Sequence, residues 1–172
     1  MKKILFISFS CCILFSLMAK AQRIETLLEK NWKFTKGEVA EAMKPEFDDR
    51  KWETVTVPHD WAIFGPFDRS NDLQEVAVTQ NFEKKASVKT GRTGGLPYVG
   101  IGWYRTTFDA PADQQTTLVF DGAMSEAHVY VNGQEACFWP FGYNSFHCDV
   151  TGLLNKDGKN NTLAVRLENK PQ

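Results

Sequence analysis

Three side chains able to do chemistry stand in a row at His59, Asp60 and Trp61, directly after the alternating stretch Thr54-Val55-Thr56-Val57-Pro58. An aspartate accepts hydroxyl hydrogen bonds, a tryptophan face packs on the apolar side of a pyranose ring, and a histidine donates a further bond. Together these are the contacts that a neutral, hydroxylated ligand requires. The same residues have a structural reading: Pro58 fixes the turn, Trp61 is buried, and Asp60 satisfies backbone donors beneath it. Both readings stand at this point. What singles the triplet out is its place just past a strand end, where a rigid sheet can present a loop outward.

Other chemistries find no support in the residue spacing. The histidines His59, His128 and His147 form no ligand set with carboxylates or thiolates, so no metal is expected. No Gly-x-Ser-x-Gly stretch occurs, and Ser125 and Ser145 have no evident base beside them, so no nucleophilic triad is expected. The glycine-rich TGRTGGLPYVGIG (90–102) leads into a strand pattern, whereas phosphate-binding loops lead into a helix. The reading assigns no cofactor and no catalytic residue.

The first 21 residues, MKKILFISFSCCILFSLMAKA, have the form of a secretory leader. Lys2 and Lys3 precede an apolar run from Ile4 to Met18, and Ala19-Lys20-Ala21 gives a small-x-small cleavage pattern. The run is shorter than the ~20 apolar residues that span a bilayer. The expected organisation is a leader over 1–21 and one domain over 22–172, exported to the periplasm or beyond the cell, with no membrane attachment after cleavage. The 172-residue chain has a net charge of −1, and loss of Lys2, Lys3 and Lys20 makes the domain more acidic. That balance argues against nucleic acid as a partner. Lys84, Lys85, Lys89 and Arg92 lie among Ser, Thr and Gly and read as a solvated loop. Cys137 and Cys148 remain outside the leader, in a compartment that permits a bridge, and the alternation of Phe146, Cys148 and Val150 turns Cys148 toward the core.

The elements that must position the triplet are strands. The stretches 54–58, 74–82, 102–110, 116–122, 126–138, 144–150 and 161–169 are short, rich in β-branched and aromatic residues, and separated by Gly, Pro, Asn and Asp. Asn132-Gly133 carries a type I′ hairpin signal. Only 24–29 and 38–43 have the composition for a few helical turns. An all-β sandwich follows, with jelly-roll and immunoglobulin-like topologies as the choices. Trp103 and Tyr104 enter one strand on opposite faces. In FDDRKW, Phe47 and Trp52 pin a turn that Asp48 and Asp49 favour, and Asp149 with Thr151 reads as a strand-to-turn cap.

Taken in order, NWKF (31–34), PEFDDRKWETVTVPHDW (45–61), GPFD (65–68), GIGWYRTTF (100–108), FDGAMSEAHVYVNG (120–133), GYNSFHCDVTGLL (142–154) and NTLAVRLEN (161–169) resemble the amino-terminal sugar-binding domain of family 2 glycoside hydrolases, especially bacterial β-galactosidases. The resemblance implies a jelly-roll β-sandwich, similar to galactose-binding domains. Such a domain packs against an immunoglobulin-like domain and a (β/α)8 barrel that carries both catalytic glutamates. No segment resembles that barrel, so the resemblance implies a chain that is inactive alone. Its partners would be the barrel of the parent enzyme and a β-galactoside-type glycan, met by Asp60, Trp61 and His59. After LAVRLENKPQ the family pattern would continue with a Trp-Tyr-Pro-Gly type segment and another strand. The expectation is therefore an amino-terminal piece of an exported β-galactosidase-like enzyme, short of its last strand. A freestanding carbohydrate-binding module, or the same domain of a β-glucuronidase or β-mannosidase, are the alternatives.

Overall fold

Apolar residues two apart, as in Trp32-Lys33-Phe34 and Ala127-His128-Val129-Tyr130-Val131, place one face of each strand against a core and the other away from it. The computed structural model describes residues 23–71, 74–79, 82–91 and 97–169, and the leader-like first 21 residues lie outside them. Among the described residues ten strands form: β1 (Trp32–Lys36), β2 (Glu53–Val55), β3 (Gln74–Val78), β4 (Ser87–Gly91), β5 (Ile101–Phe108), β6 (Thr117–Phe120), β7 (Ala127–Val131), β8 (Gln134–Trp139), β9 (Phe146–Asp149) and β10 (Asn161–Glu168). Six of them build one antiparallel sheet in the order β2-β1-β5-β10-β7-β8, while β6 pairs with β9 and β3 with β4.

The inner face of the large sheet, with Trp32, Phe34, Tyr104, Val129 and Val165, shares one buried cluster with Leu118, Phe146 and Cys148 of the β6–β9 pair. That is a β-sandwich, as the strand pattern implied. Asn132 and Gly133 join β7 to β8 with φ of 51° and 82°, the left-handed pair that a type I′ turn demands. Thr151 donates both its backbone N–H and its hydroxyl to Asp149 Oδ1, which forms the expected cap.

The outer face of the large sheet is covered as well. Trp103 and Ala164 form a second buried cluster with Ala42, and Val39, Met43 and Trp52 pack against it. Arg105, 3% exposed, lies under this cover. Its Nε donates to Asp49 Oδ2 at 2.9 Å, and its Nη1 donates to the carbonyls of Ala42 and Lys44. Phe47 lies over the guanidinium, 5.4 Å from ring centroid to Cζ. A buried cation is tolerated only when its donors are used this fully.

Several expectations are corrected. Residues 24–29 form no helix, and 38–43 form turns, because a six-residue stretch does not repay the cost of helix nucleation. Here Glu38 accepts from Trp103 Nε1 and Arg166 Nε instead. Among the described residues, helical structure is confined to two 3₁₀ turns, Arg69–Asn71 and Thr151–Leu153. Asp49 spends its side chain on Arg105 and leaves the turn to Asp48, which accepts from the Arg50 backbone N–H. Strand β1 arises where only a motif had been noted, and Lys89 lies in β4 although its surroundings read as a loop.

Arg105→Ala leaves the Asp49 carboxylate and two carbonyls without their donor. It is expected to cost about 3 kcal/mol, or roughly 6–12 °C in Tm, with Asp49→Asn costing less because that carboxylate is partly solvated. Thermal unfolding of both variants checks the order; equal Tm values for Arg105→Ala and the parent chain would refute it.

Candidate functional site

Strand β2 ends at Val55, and the chain then runs as an irregular loop through Pro58 to Phe67 before the Arg69–Asn71 turn. Four contacts hold this loop, three of them to residues of the sheet. The Val57 N–H donates to the Glu29 carbonyl at 2.8 Å. His59 Nδ1 lies 2.8 Å from the Tyr104 hydroxyl of β5, its ring meeting the edge of Phe34 and stacking on Phe64. Trp61 is 5% exposed and packs edge-on against Phe34 and Tyr98, with centroids 5.7 and 5.6 Å away. Lys36 Nζ of β1 donates to the Gly65 carbonyl and sits over the Tyr98 ring.

The indole fits because β5 carries glycine beneath it. A Cβ built at Gly102 would lie 3.0 Å from the Trp61 ring and 3.1 Å from Phe34, so any side chain there pushes the loop away. The loop position is therefore dictated by the sheet.

Electrostatics assign the hydrogen bond between His59 and Tyr104 a direction. Burial pushes the His59 pKa below 6.5, against an opposing pull from the Glu53 and Asp60 carboxylates. Burial, reinforced by the same two carboxylates, pushes the Tyr104 pKa upward. The favoured arrangement is a neutral imidazole accepting at Nδ1 from a tyrosine that keeps its proton.

The three residues singled out in the sequence come to different places. Asp60 is exposed at the surface, and its Oδ1 accepts the Ala62 N–H at 3.0 Å, so one oxygen shapes the loop. His59 is partly buried beside it. Trp61 is a core member, and its ring faces the packing of Phe34 and Tyr98, where an open platform for a sugar had been the ligand reading. His59, Trp61, Phe34, Lys36, Glu53 and Phe64 line a depression of about 60 Å3. It admits a few waters and is far smaller than the roughly 300 Å3 at which pockets for small molecules begin. Asp60, although its sequence neighbours His59 and Trp61 line the depression, is not one of the lining residues and stands exposed.

Sequence reasoning missed Tyr104, Lys36 and Phe64. Tyr104 was legible as a strand residue on the face opposite Trp103, but its partner lies 45 positions away. Among the described residues, no group of three or more His, Cys, Asp or Glu could hold a metal ion.

His59 supplies a pH signature. Its folded pKa lies below the unfolded 6.5, so its contribution to stability is complete above pH 6.5 and declines as pH falls through the depressed value. Tm measured against pH should show this loss on acidification, and His59→Gln should remove that part of the slope. An identical slope in the variant would contradict the assignment.

The family description "Glycosyl hydrolase 2 galactose-binding domain-like" matches residues 101–172. A Formosa agariphila protein is 36% identical over 162 residues, covering 92% of this chain and 14% of its own length. A β-galactosidase of Bacteroides ovatus is 34% identical over 164 residues, covering 94% of this chain and 17% of its own length. The chain thus spans less than a fifth of these curated relatives. Among solved structures, Bacteroides uniformis β-glucuronidase superposes with a TM-score of 0.67 at 28% identity, over 88% of this chain and 15% of that one. Sequence family, relatives and fold agree, and the chain belongs to the galactose-binding-like amino-terminal domains of the family 2 glycosyl hydrolases.

Proposed function

We propose that this chain is the amino-terminal scaffold and sugar-contacting domain of an exported family 2 glycosidase, and that it contributes a loop, not the catalytic carboxylates, to the sugar pocket. The observation that carries this reading is Asp60: a surface carboxylate on a loop that the sheet holds rigidly through His59, Trp61 and Gly65. In this arrangement Asp60 meets sugar hydroxyls, while His59 and Trp61 fix its position. A retaining glycosidase also needs an acid and a nucleophile about 5–5.5 Å apart across the scissile bond, a role we assign to a barrel domain of the parent enzyme. Export rests on the leader-like first 21 residues.

Among sugars, a neutral β-galactoside suits the loop better than a β-glucuronide. Asp60 would repel a uronate carboxylate, and Lys36, the cation lining the depression, is already committed to Gly65 and Tyr98. The relatives include proteins named for both activities, so the rest of the enzyme decides between them.

The purified chain is expected to hydrolyse neither nitrophenyl β-galactoside nor nitrophenyl β-glucuronide, and turnover by it would overturn the assignment. In the parent enzyme, Asp60→Ala should lower kcat/KM by about ten- to a hundredfold, the loss of a hydrogen bond to a charged acceptor, with Tm nearly unchanged. A large drop in Tm with kinetics intact would make Asp60 a turn-former only.

A further inference from the structure

The region around Cys137 and Cys148 is unlike the rest of the sandwich. Strand β8 is the last strand of the large sheet and β9 belongs to the other layer, so no backbone ladder joins them. A disulfide between Cys137 and Cys148 does, with the two Cα atoms 5.8 Å apart. Cys137 sits opposite Val129, a core residue, next to the register shift between Val129 and Tyr130, while Cys148 sits opposite Leu118 and is 2% exposed. The bridge thus lies between the two layers at the edge of the sandwich.

It also closes a ring over 138–147, in which Phe138 and Trp139 end β8, Phe146 and His147 begin β9, and 140–145 form the connecting loop. Trp139 stacks on Phe146 at 5.6 Å, and Phe146 stacks on Phe120 at 4.7 Å, which anchors the loop from inside. Phe138, Phe141 and Tyr143 are 48%, 54% and 86% exposed. Gly142 rests against Met124, where a Cβ would meet Met124 Cγ at 2.6 Å. Phe141 and Tyr143 thus sit between β8 and β9, whose facing ends are joined covalently by the sulfur bridge and non-covalently by the Trp139–Phe146 stack, with the Glu126 N–H donating to the Pro140 carbonyl.

We infer that Cys137–Cys148 is a redox latch on this loop. When closed, it fixes the aromatic loop against the sandwich edge. When open, the loop is released, while the β7–β8 and β6–β9 ladders remain. Closure is a two-electron oxidation: each thiol loses a proton, the S–S bond forms, and the disulfide of a thiol–disulfide oxidoreductase takes up both electrons and both protons as it becomes a dithiol. Opening by a dithiol reductant is the reverse. The latch makes loop order depend on the redox state of the compartment, independently of any sugar at Asp60.

Differential alkylation with peptide mapping, followed by limited chymotrypsin digestion of oxidised and reduced protein, tests this. Oxidised protein should show Cys137 and Cys148 linked. Reduction should speed cleavage after Phe141 and Tyr143 at least tenfold and lower Tm by about 5–10 °C, leaving the remaining cleavage pattern, including that after Phe138 in β8, unchanged. The Cys137→Ser, Cys148→Ser double variant should match the reduced protein with or without reductant; if it does not fold, the comparison of oxidised and reduced parent protein still decides. Free thiols at both positions in protein folded under oxidising conditions, equal cleavage in the two states, or cleavage spread along the whole chain on reduction would each overturn the latch.

Discussion

Strand β5 is buried on both faces, and that double burial sets the positions of most other features. Its Tyr104 and Gly102 point inward, where the first holds His59 and the second leaves room for Trp61. Its Trp103 and Arg105 point outward, where they bind Glu38, Asp49 and the carbonyls of Ala42 and Lys44. A one-residue slip of this strand would exchange the two sets. The pairing of β5 with β1 on one side and β10 on the other is the register on which both the outer cover and the Asp60 loop depend.

This arrangement explains the division of labour at the candidate site. A short irregular loop gains little rigidity from its own sequence. Here rigidity is borrowed from the sheet through a buried indole, a partly buried imidazole bonded to a buried phenol, and a lysine. Asp60 itself makes a single local bond to Ala62, so its exposure coexists with a defined position.

How much of this was legible in the sequence follows from the range of each interaction. Strands β5, β7, β8, β9 and β10, the turn at Asn132-Gly133 and the cap at Asp149 were readable, because alternation and turn chemistry act over a few residues. The collinear aromatic motifs gave the family. Glu38 and Asp49 were misread, since each pairs with a side chain more than 50 positions away, and local rules assigned them to a helix and a turn. For the site, the position of the His59-Asp60-Trp61 loop after a strand was legible. Which of the three is buried was not, because that is decided by the missing side chain at Gly102 and by Tyr98 and Phe34 from other parts of the chain.

The sandwich spans 14–17% of the two curated relatives, and we propose it as the front of a larger glycosidase. The direct test is the intact mass of the native gene product, recovered from the producing cells and identified by a peptide from residues 101–172. The account predicts a product several times heavier than the 19.5 kDa of this chain. A product of about this mass, less a leader, would contradict it and leave a self-standing domain whose sugar affinity would then have to be its whole function.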